Sequence, residues 1–273
     1  MQVLYKSTRG KEQAVTASMA ILKGLSEDGG LFVPERIPQL DVPMDKLAQM
    51  TYQETAYEVM SRFLTDFTEE ELRYCIDKAY DGKFDTEAIA PLAEVKNAWY
   101  LELFHGPTCA FKDFGAGFMG RMTGLLGAAD EKLVILTATS GDTGSAVAHG
   151  FHNVPGVEVV VLYPEGKISR LQECQMTTLG GNIHPLRVAG TFDDCQRLVK
   201  ELFADAKFRA GHRVSSANSI NLLRWIPQAF YYFYGYCLWR QQTGGGRPVV
   251  VVPSGNYGNL SAGMLARRMG LPL

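Results

Sequence analysis

The segment His105-Gly106-Pro107-Thr108-Cys109-Ala110-Phe111-Lys112-Asp113-Phe114 sets a lysine between two phenylalanines. An apolar stripe of Phe114, Phe118, Met122, Leu125 and Leu126 starts there, which predicts a helix opening at Lys112 behind the Gly106-Pro107 turn. An ammonium in that place is disfavoured twice, by the rings and by the positive end of the helix dipole. The expectation is therefore an accessible neutral amine, a nucleophile suited to forming an imine with a carbonyl compound. The plainer alternative is a surface lysine whose stem packs on the phenylalanines.

Two further places share one design, a β-branched run leading into a Gly/Ser/Asn/Asp loop that opens a helix. They are Ser140-Gly141-Asp142-Thr143-Gly144 after Leu133–Thr137, and Ser254-Gly255-Asn256-Tyr257-Gly258-Asn259 after Val249–Val252. Glycine lets main chain approach a ligand, and the free N–H groups of a helix start face an anion. Each loop alone could be an ordinary βα turn; two such junctions suggest two anionic groups. In Asn218-Ser219-Ile220-Asn221-Leu222-Leu223-Arg224, Asn218 or Ser219 can cap a long aromatic-rich helix. Arg224 could then close over a phosphate or carboxylate at its start, or simply be exposed.

Several chemistries are excluded or weakened. Neither loop matches G-x-G-x-x-G, and G-x-x-x-x-G-K-[ST] is absent, so NAD and ATP are poor candidates. His149 and His152 have no third ligand nearby, so no metal site is expected. A G-x-S-x-G elbow is missing, which weighs against a serine hydrolase.

The elements that must position these residues fall into two textures. Met44 to Tyr80 has helical periodicity, with a capping box at Thr68 and Glu71, so residues 1–92 are expected to form a mostly helical N-terminal region. Beyond Trp99, β-branched runs alternate with amphipathic stretches, the pattern of a parallel sheet covered by helices. Expected strands are Leu133–Thr137, Val157–Leu162, Ile183–Val188, Arg213–Ser215 and Val249–Val252. The chain has 273 residues, 46% of them hydrophobic, enough for a sizeable core. With Lys+Arg 27 against Asp+Glu 29 there is no basic field for nucleic acid or an anionic membrane. Five scattered cysteines read as reduced thiols, and no signal peptide or bilayer-length apolar run is evident, so a cytoplasmic location is expected.

In their order and combination these segments resemble the threonine synthases, pyridoxal-phosphate enzymes of fold type II. Tyr5–Gly10 and Leu25–Pro34 are similar to that family's opening, and the likeness continues through His105–Phe114, Ala138–Gly144, Asn218–Arg224 and Val252–Gly263. The resemblance implies an α/β fold: a large pyridoxal-phosphate domain from 93–128 and 225–273, and a small substrate-loop domain over 129–224, both with parallel sheets. It implies conversion of O-phospho-L-homoserine and water to L-threonine and phosphate, with Lys112 carrying pyridoxal 5'-phosphate and Gly255, Asn256, Tyr257, Gly258 and Asn259 cradling its phosphate. Ser140, Gly141 and Thr143 would receive the substrate, Asp142 would lie beside the ring hydroxyl, and Asn218, Ser219 and Arg224 with Thr143 would hold the substrate's phosphate. Asp142 replaces the Asn of many fold-type-II relatives, as it does in the longer bacterial and fungal threonine synthases. Members of the family usually continue well past Leu273, and their final third supplies more strands and the partner of the pyridine nitrogen, so a fragment is expected. The rival readings are a fold-type-II dehydratase or phospholyase, and a non-catalytic relative.

Overall fold

The structure, a computed structural model, describes residues 2–127 and 132–273. The expected boundary between large and small domains at 128–129 lies outside the described residues.

The N-terminal region opens with β1 (Tyr5–Ser7), α1 (Ala17–Lys23) and β2 (Phe32–Pro34), and the two strands pair antiparallel. Then come α2 (Met44–Leu47), α3 (Tyr52–Phe63) and α4 (Glu69–Ala79). Both longer helices begin at complete capping boxes, Thr51 with Glu54 and Thr68 with Glu71, which satisfy main-chain donors that the helix itself leaves free. Each buries one stripe, Tyr52, Ala56, Val59, Met60 and Phe63 on α3, and Leu72, Cys75, Ile76 and Ala79 on α4. A hairpin, β3 (Leu92–Val95) with β4 (Ala98–Leu101), turns through Lys96 at φ 58°.

Helix α5 (Lys112–Leu126) leads on to the sheet. The following elements are β5 (Leu133–Ala138), α6 (Asp142–Phe151), β6 (Val157–Pro164), α7 (Arg170–Thr177), β7 (Ile183–Val188), α8 (Phe192–Ala204), α9 (Ala206–Gly211) and β8 (Arg213–Ser216). The strands form a parallel sheet in the order β7-β6-β5-β8. Alternate side chains enter separate cores: Ile135, Val159 and Val161 join the large cluster that includes α5 and α6, whereas Leu136, Ala138 and Leu162 pack with Cys195 and Val199 of α8. From β5 the chain steps outward through β6 and β7, then returns to the other flank of β5 as β8. In an open parallel sheet the usual ligand position at such a reversal is beyond the carboxyl ends of the strands, here those of β5 and β8.

Two expectations are corrected downstream. The helix expected from Asn218 begins only at Ala229, as α10 (Ala229–Thr243), after two 3₁₀ turns over Leu222–Arg224 and Ile226–Gln228. Pro227 explains the delay, because its ring disfavours α-helical geometry in the residue before it and it has no N–H to donate. Val249–Val252 is not a strand; it pairs with nothing in the described sheets, and Val249 and Val251 are 91% and 85% exposed. The last helix is α11 (Gly258–Arg268), packed on α10 and the second 3₁₀ turn.

Candidate active site

Lys112 is the first residue of α5, and its Nζ stands 3.3 Å from Oδ2 of Asp142, the first residue of α6. The amine also lies 4.4 Å above the centre of the Phe111 ring. A carboxylate and the face of a ring are thus the amine's neighbours. Two helices thus aim opposite charges at one point. They can do so because they touch without side chains between them: a Cβ on Gly120 of α5 would lie 2.2 Å from the Gly150 carbonyl oxygen, and one on Gly150 would lie 2.6 Å from that of Ala116.

The loop carrying Asp142 is built from the end of β5. Thr139 Oγ1 accepts the main-chain N–H groups of Gly141 and Gly144 at 2.9 and 2.8 Å, folding the turn around its own hydroxyl. Gly141 has φ 140°, a backbone conformation that favours glycine, and the Gln172 amide fills the space where a Cβ would stand. Gln172, in the first turn of α7, donates its amide to Asp142 Oδ1. Ser140 and Asp142 are exposed and Thr143 is half-buried.

Asn218 acts differently from a helix cap. Its carboxamide donates to the Ala138 carbonyl at 2.8 Å and accepts the Ala138 N–H at 3.2 Å. β8 stops pairing at Ser216, opposite Leu136, and the side chain supplies the next two rungs in its place. Asn221 caps the first 3₁₀ turn instead, accepting from Leu223 N–H at 3.1 Å. Ser219 is exposed beside it.

Arg224 is neither exposed nor open to solvent: it is 2% exposed, donates to the Ala217 carbonyl, and its buried Nε has no partner among the described residues. Burial draws its pKa down to about 10, and the nearby Asp113 carboxylate opposes that fall. Its main chain rests on the lysine helix, since a Cβ on Gly115 would meet the Arg224 carbonyl oxygen at 2.7 Å. Asp113, next to Lys112, is buried and accepts from Thr108 N–H at 2.9 Å and Thr108 Oγ1 at 2.6 Å, closing the turn before α5. Burial raises its pKa, and the Thr108 bonds pull the other way.

At the start of α11, Gly255, Asn256 and Tyr257 are exposed, and a Cβ at Gly255 or Gly258 would meet nothing within 4 Å. Tyr257 holds φ 57°, a left-handed conformation uncommon for a residue with a side chain, immediately before the helix start. Asn259 faces inward, its Oδ1 within 2.7 and 2.6 Å of the Tyr231 and Tyr232 hydroxyls. Tyr231 also reaches Gln228, whose amide donates to the Arg224 carbonyl at 2.6 Å, so polar contacts join the α11 loop to the turn that bears on the lysine helix.

The structure therefore brings Lys112 and Asp142 into direct contact and ties Asn218 to the strand that carries the Asp142 loop. Arg224 and Asn259 are linked through main chain and intervening side chains. Thr108, Asp113, Thr139 and Gln172 were missed as site residues; only Gln172 had a legible signal, the Ser169-x-x-Gln172 capping pattern. A separate hollow of about 300 Å³ between α3 and α4 shares none of these residues. Of its polar groups, Glu54 is engaged in its capping box and Arg73 with Glu69 and the Tyr57 ring. Among the described residues no His/Cys/Asp/Glu group could hold a metal ion, and no helix is long and apolar enough to cross a membrane.

A family model described as "Threonine synthase N terminus" matches residues 4–80, and one described as "Pyridoxal-phosphate dependent enzyme" matches residues 85–273. A threonine synthase of Escherichia coli is 43% identical over 272 residues, 99% of this chain and 62% of that protein. One from Buchnera aphidicola is 42% identical with the same coverage. The crystal structure of a pyridoxal-phosphate-bound threonine synthase from Brucella melitensis superposes with a TM-score of 0.91 at 38% identity, over 100% of this chain and 59% of that one. The Escherichia coli enzyme's structure gives 0.88 at 41% identity. The chain spans less than two thirds of the length of these relatives.

Proposed function

The chain belongs to the pyridoxal-phosphate-dependent enzyme family, and from that premise we propose that its site converts O-phospho-L-homoserine and water to L-threonine and phosphate. The observation that carries the proposal is the Lys112 amine, held by Asp142 of the loop that follows the carboxyl end of β5. The residues present fit pyridoxal 5'-phosphate: a primary amine for its aldehyde, and a glycine-bordered helix start at Gly255–Asn259 with open space for its phosphate. When bound, the cofactor supplies an electron sink for charge developing on the substrate carbons.

The chain's own residues would divide the remaining work. Lys112 Nζ takes and returns protons at the substrate's α and β carbons, and Asp142 orients that amine. The amides and hydroxyls of Ser140, Gly141 and Thr143 would bind the substrate carboxylate. Arg224 Nε, the buried donor without a partner, favours a phosphorylated substrate, with Ser219 and Thr143 completing that pocket. Asn218, which gives one amide N–H to Ala138, would hold the loop and keep its second N–H for the phosphate. By the same reading, residues 129–224 form a small substrate-loop domain, 93–128 with 225–273 belong to the large domain, and the protein works in the cytoplasm.

The test has two stages. Borohydride treatment of the chain with pyridoxal phosphate should leave a phosphopyridoxyl group on the Lys112 peptide, visible by mass spectrometry, and Lys112→Ala should abolish it. In a full-length protein carrying this sequence, O-phosphohomoserine should yield phosphate with threonine. A keto acid in place of threonine would assign the site to a phospholyase, and labelling elsewhere would end the Lys112 assignment.

A further inference from the structure

The Asp142 carboxylate has two oxygens and two partners: Lys112 Nζ on Oδ2, and the Gln172 amide N–H on Oδ1. Gln172 is itself held in place by two serines. Its amide oxygen accepts from Ser169 Oγ at 3.1 Å in the capping box of α7, and its main-chain carbonyl accepts from Ser145 Oγ at 3.2 Å, one turn into α6. Gly141 leaves room for the amide, since any Cβ there would fall 2.3 Å from Gln172 Oε1. An exposed carboxylate ordinarily samples several rotamers. Here a donor fixed by a helix cap selects one of them, the one in which the second oxygen faces Lys112.

We propose that Gln172 is a positioning residue: its amide, anchored by Ser169, aims Asp142 at the Lys112 amine and so sets the orientation in which that amine meets the cofactor's aldehyde. The inference rests on the assignment of Lys112 as the cofactor lysine. Gln172 meets the charge of Asp142 from α6, whose other oxygen faces Lys112 of α5, and its neighbour Glu173 is paired with Tyr163 of β6 and Arg187 of β7.

Gln172→Glu separates aiming from mere support of the helix. Glutamate serves the capping box as well as glutamine, so α7 keeps its start, but the donor facing Asp142 becomes a like charge. Gln172→Met removes the donor without adding charge. The readout is the rate of borohydride-trapped phosphopyridoxyl labelling at Lys112, each variant compared with the unsubstituted chain at the same pH, alongside thermal unfolding. We expect both variants to label about tenfold or more slowly at pH 7.5, because a small misplacement of a reacting group has a large effect on rate; Gln172→Glu should keep its melting temperature, whereas Gln172→Met, which also loses the bonds from Ser169, should lower it slightly. At pH 5, where the new carboxyl is partly protonated and can donate again, the Gln172→Glu deficit should shrink and the Gln172→Met deficit persist. Labelling of both variants at the unsubstituted rate, or a slowing that simply follows loss of melting temperature, would overturn the role of Gln172. Absence of Lys112 labelling in the unsubstituted chain would remove the cofactor assignment and this inference with it.

Discussion

Two glycines of α5, a single helical turn apart, should respond to alanine in opposite directions. At Gly117 a Cβ would sit 3.6 Å from the Ala79 carbonyl oxygen, an ordinary contact. At Gly120 it would sit 2.2 Å from the Gly150 carbonyl oxygen and 2.8 Å from its carbon, about 1.2 Å short of the 3.4 Å where ordinary contact begins. Both substitutions gain roughly 0.5–1 kcal/mol from the intrinsic preference of a helix for alanine. Only Gly120→Ala must also push two main chains apart, an overpacking cost of about 1–3 kcal/mol. Gly117→Ala should therefore stabilise by up to about 1 kcal/mol, and Gly120→Ala should destabilise by about 1–2 kcal/mol, or about 2–8 °C in melting temperature for a chain of this size. Urea titration gives the free energies, and borohydride labelling gives the consequence for the site: separating α5 from α6 draws Lys112 from Asp142, so Gly120→Ala should also label more slowly. Equal stability of the two variants would refute the claim that main-chain contact sets the spacing of these helices.

Asn218→Ala should cost about 1–3 kcal/mol by leaving both main-chain groups of Ala138 without their partner, and protection of the Ala138 amide from hydrogen exchange should fall with it. Two histidines should bend the stability–pH curve in opposite senses. His105, bonded to Glu102 and Asp85, has its pKa raised. It binds its proton more tightly folded than unfolded, so its contribution is complete below about pH 6.5 and fades as pH rises through the folded value. His149, with its pKa lowered chiefly by burial, contributes above about pH 6.5 and loses that contribution as pH falls towards the folded value. Unfolding of His105→Asn and His149→Asn from pH 5 to 9 should show the alkaline slope flattened in the first and the acid slope in the second.

Much of the fold could be read from the sequence because its signals are local. Thr68 and Glu71 announce a helix wherever they stand, and the β-branched runs of β5, β6 and β7 carry their own period. Val249–Val252 has the same composition, but a strand is a property of a pair, and composition does not reveal whether a neighbour lies alongside. The aromatic run after Arg224 has the composition of a helix throughout, but Pro227 delays the start of α10 to Ala229. Lys112 and Asp142 stood out by residue type and by their positions at helix starts. Gln172 did not, since its capping pattern explains it fully until α7 is seen against Gly141. Arg224 and Asn218 could be flagged but not interpreted: the burial of one and the strand-like bonding of the other arise from segments far apart in the chain.

Because the Asn218 carboxamide stands in for a residue of β8, its place opposite Ala138 is counted in residues along the chain. Inserting or deleting one residue between Ser216 and Asn218 would leave the sheet intact yet carry the amide past its mate, and the turn that presents Asp142 would lose its mooring. The stretch should thus tolerate no change of length, and natural variation in this chain's relatives should show no gaps between Ser216 and Asn218.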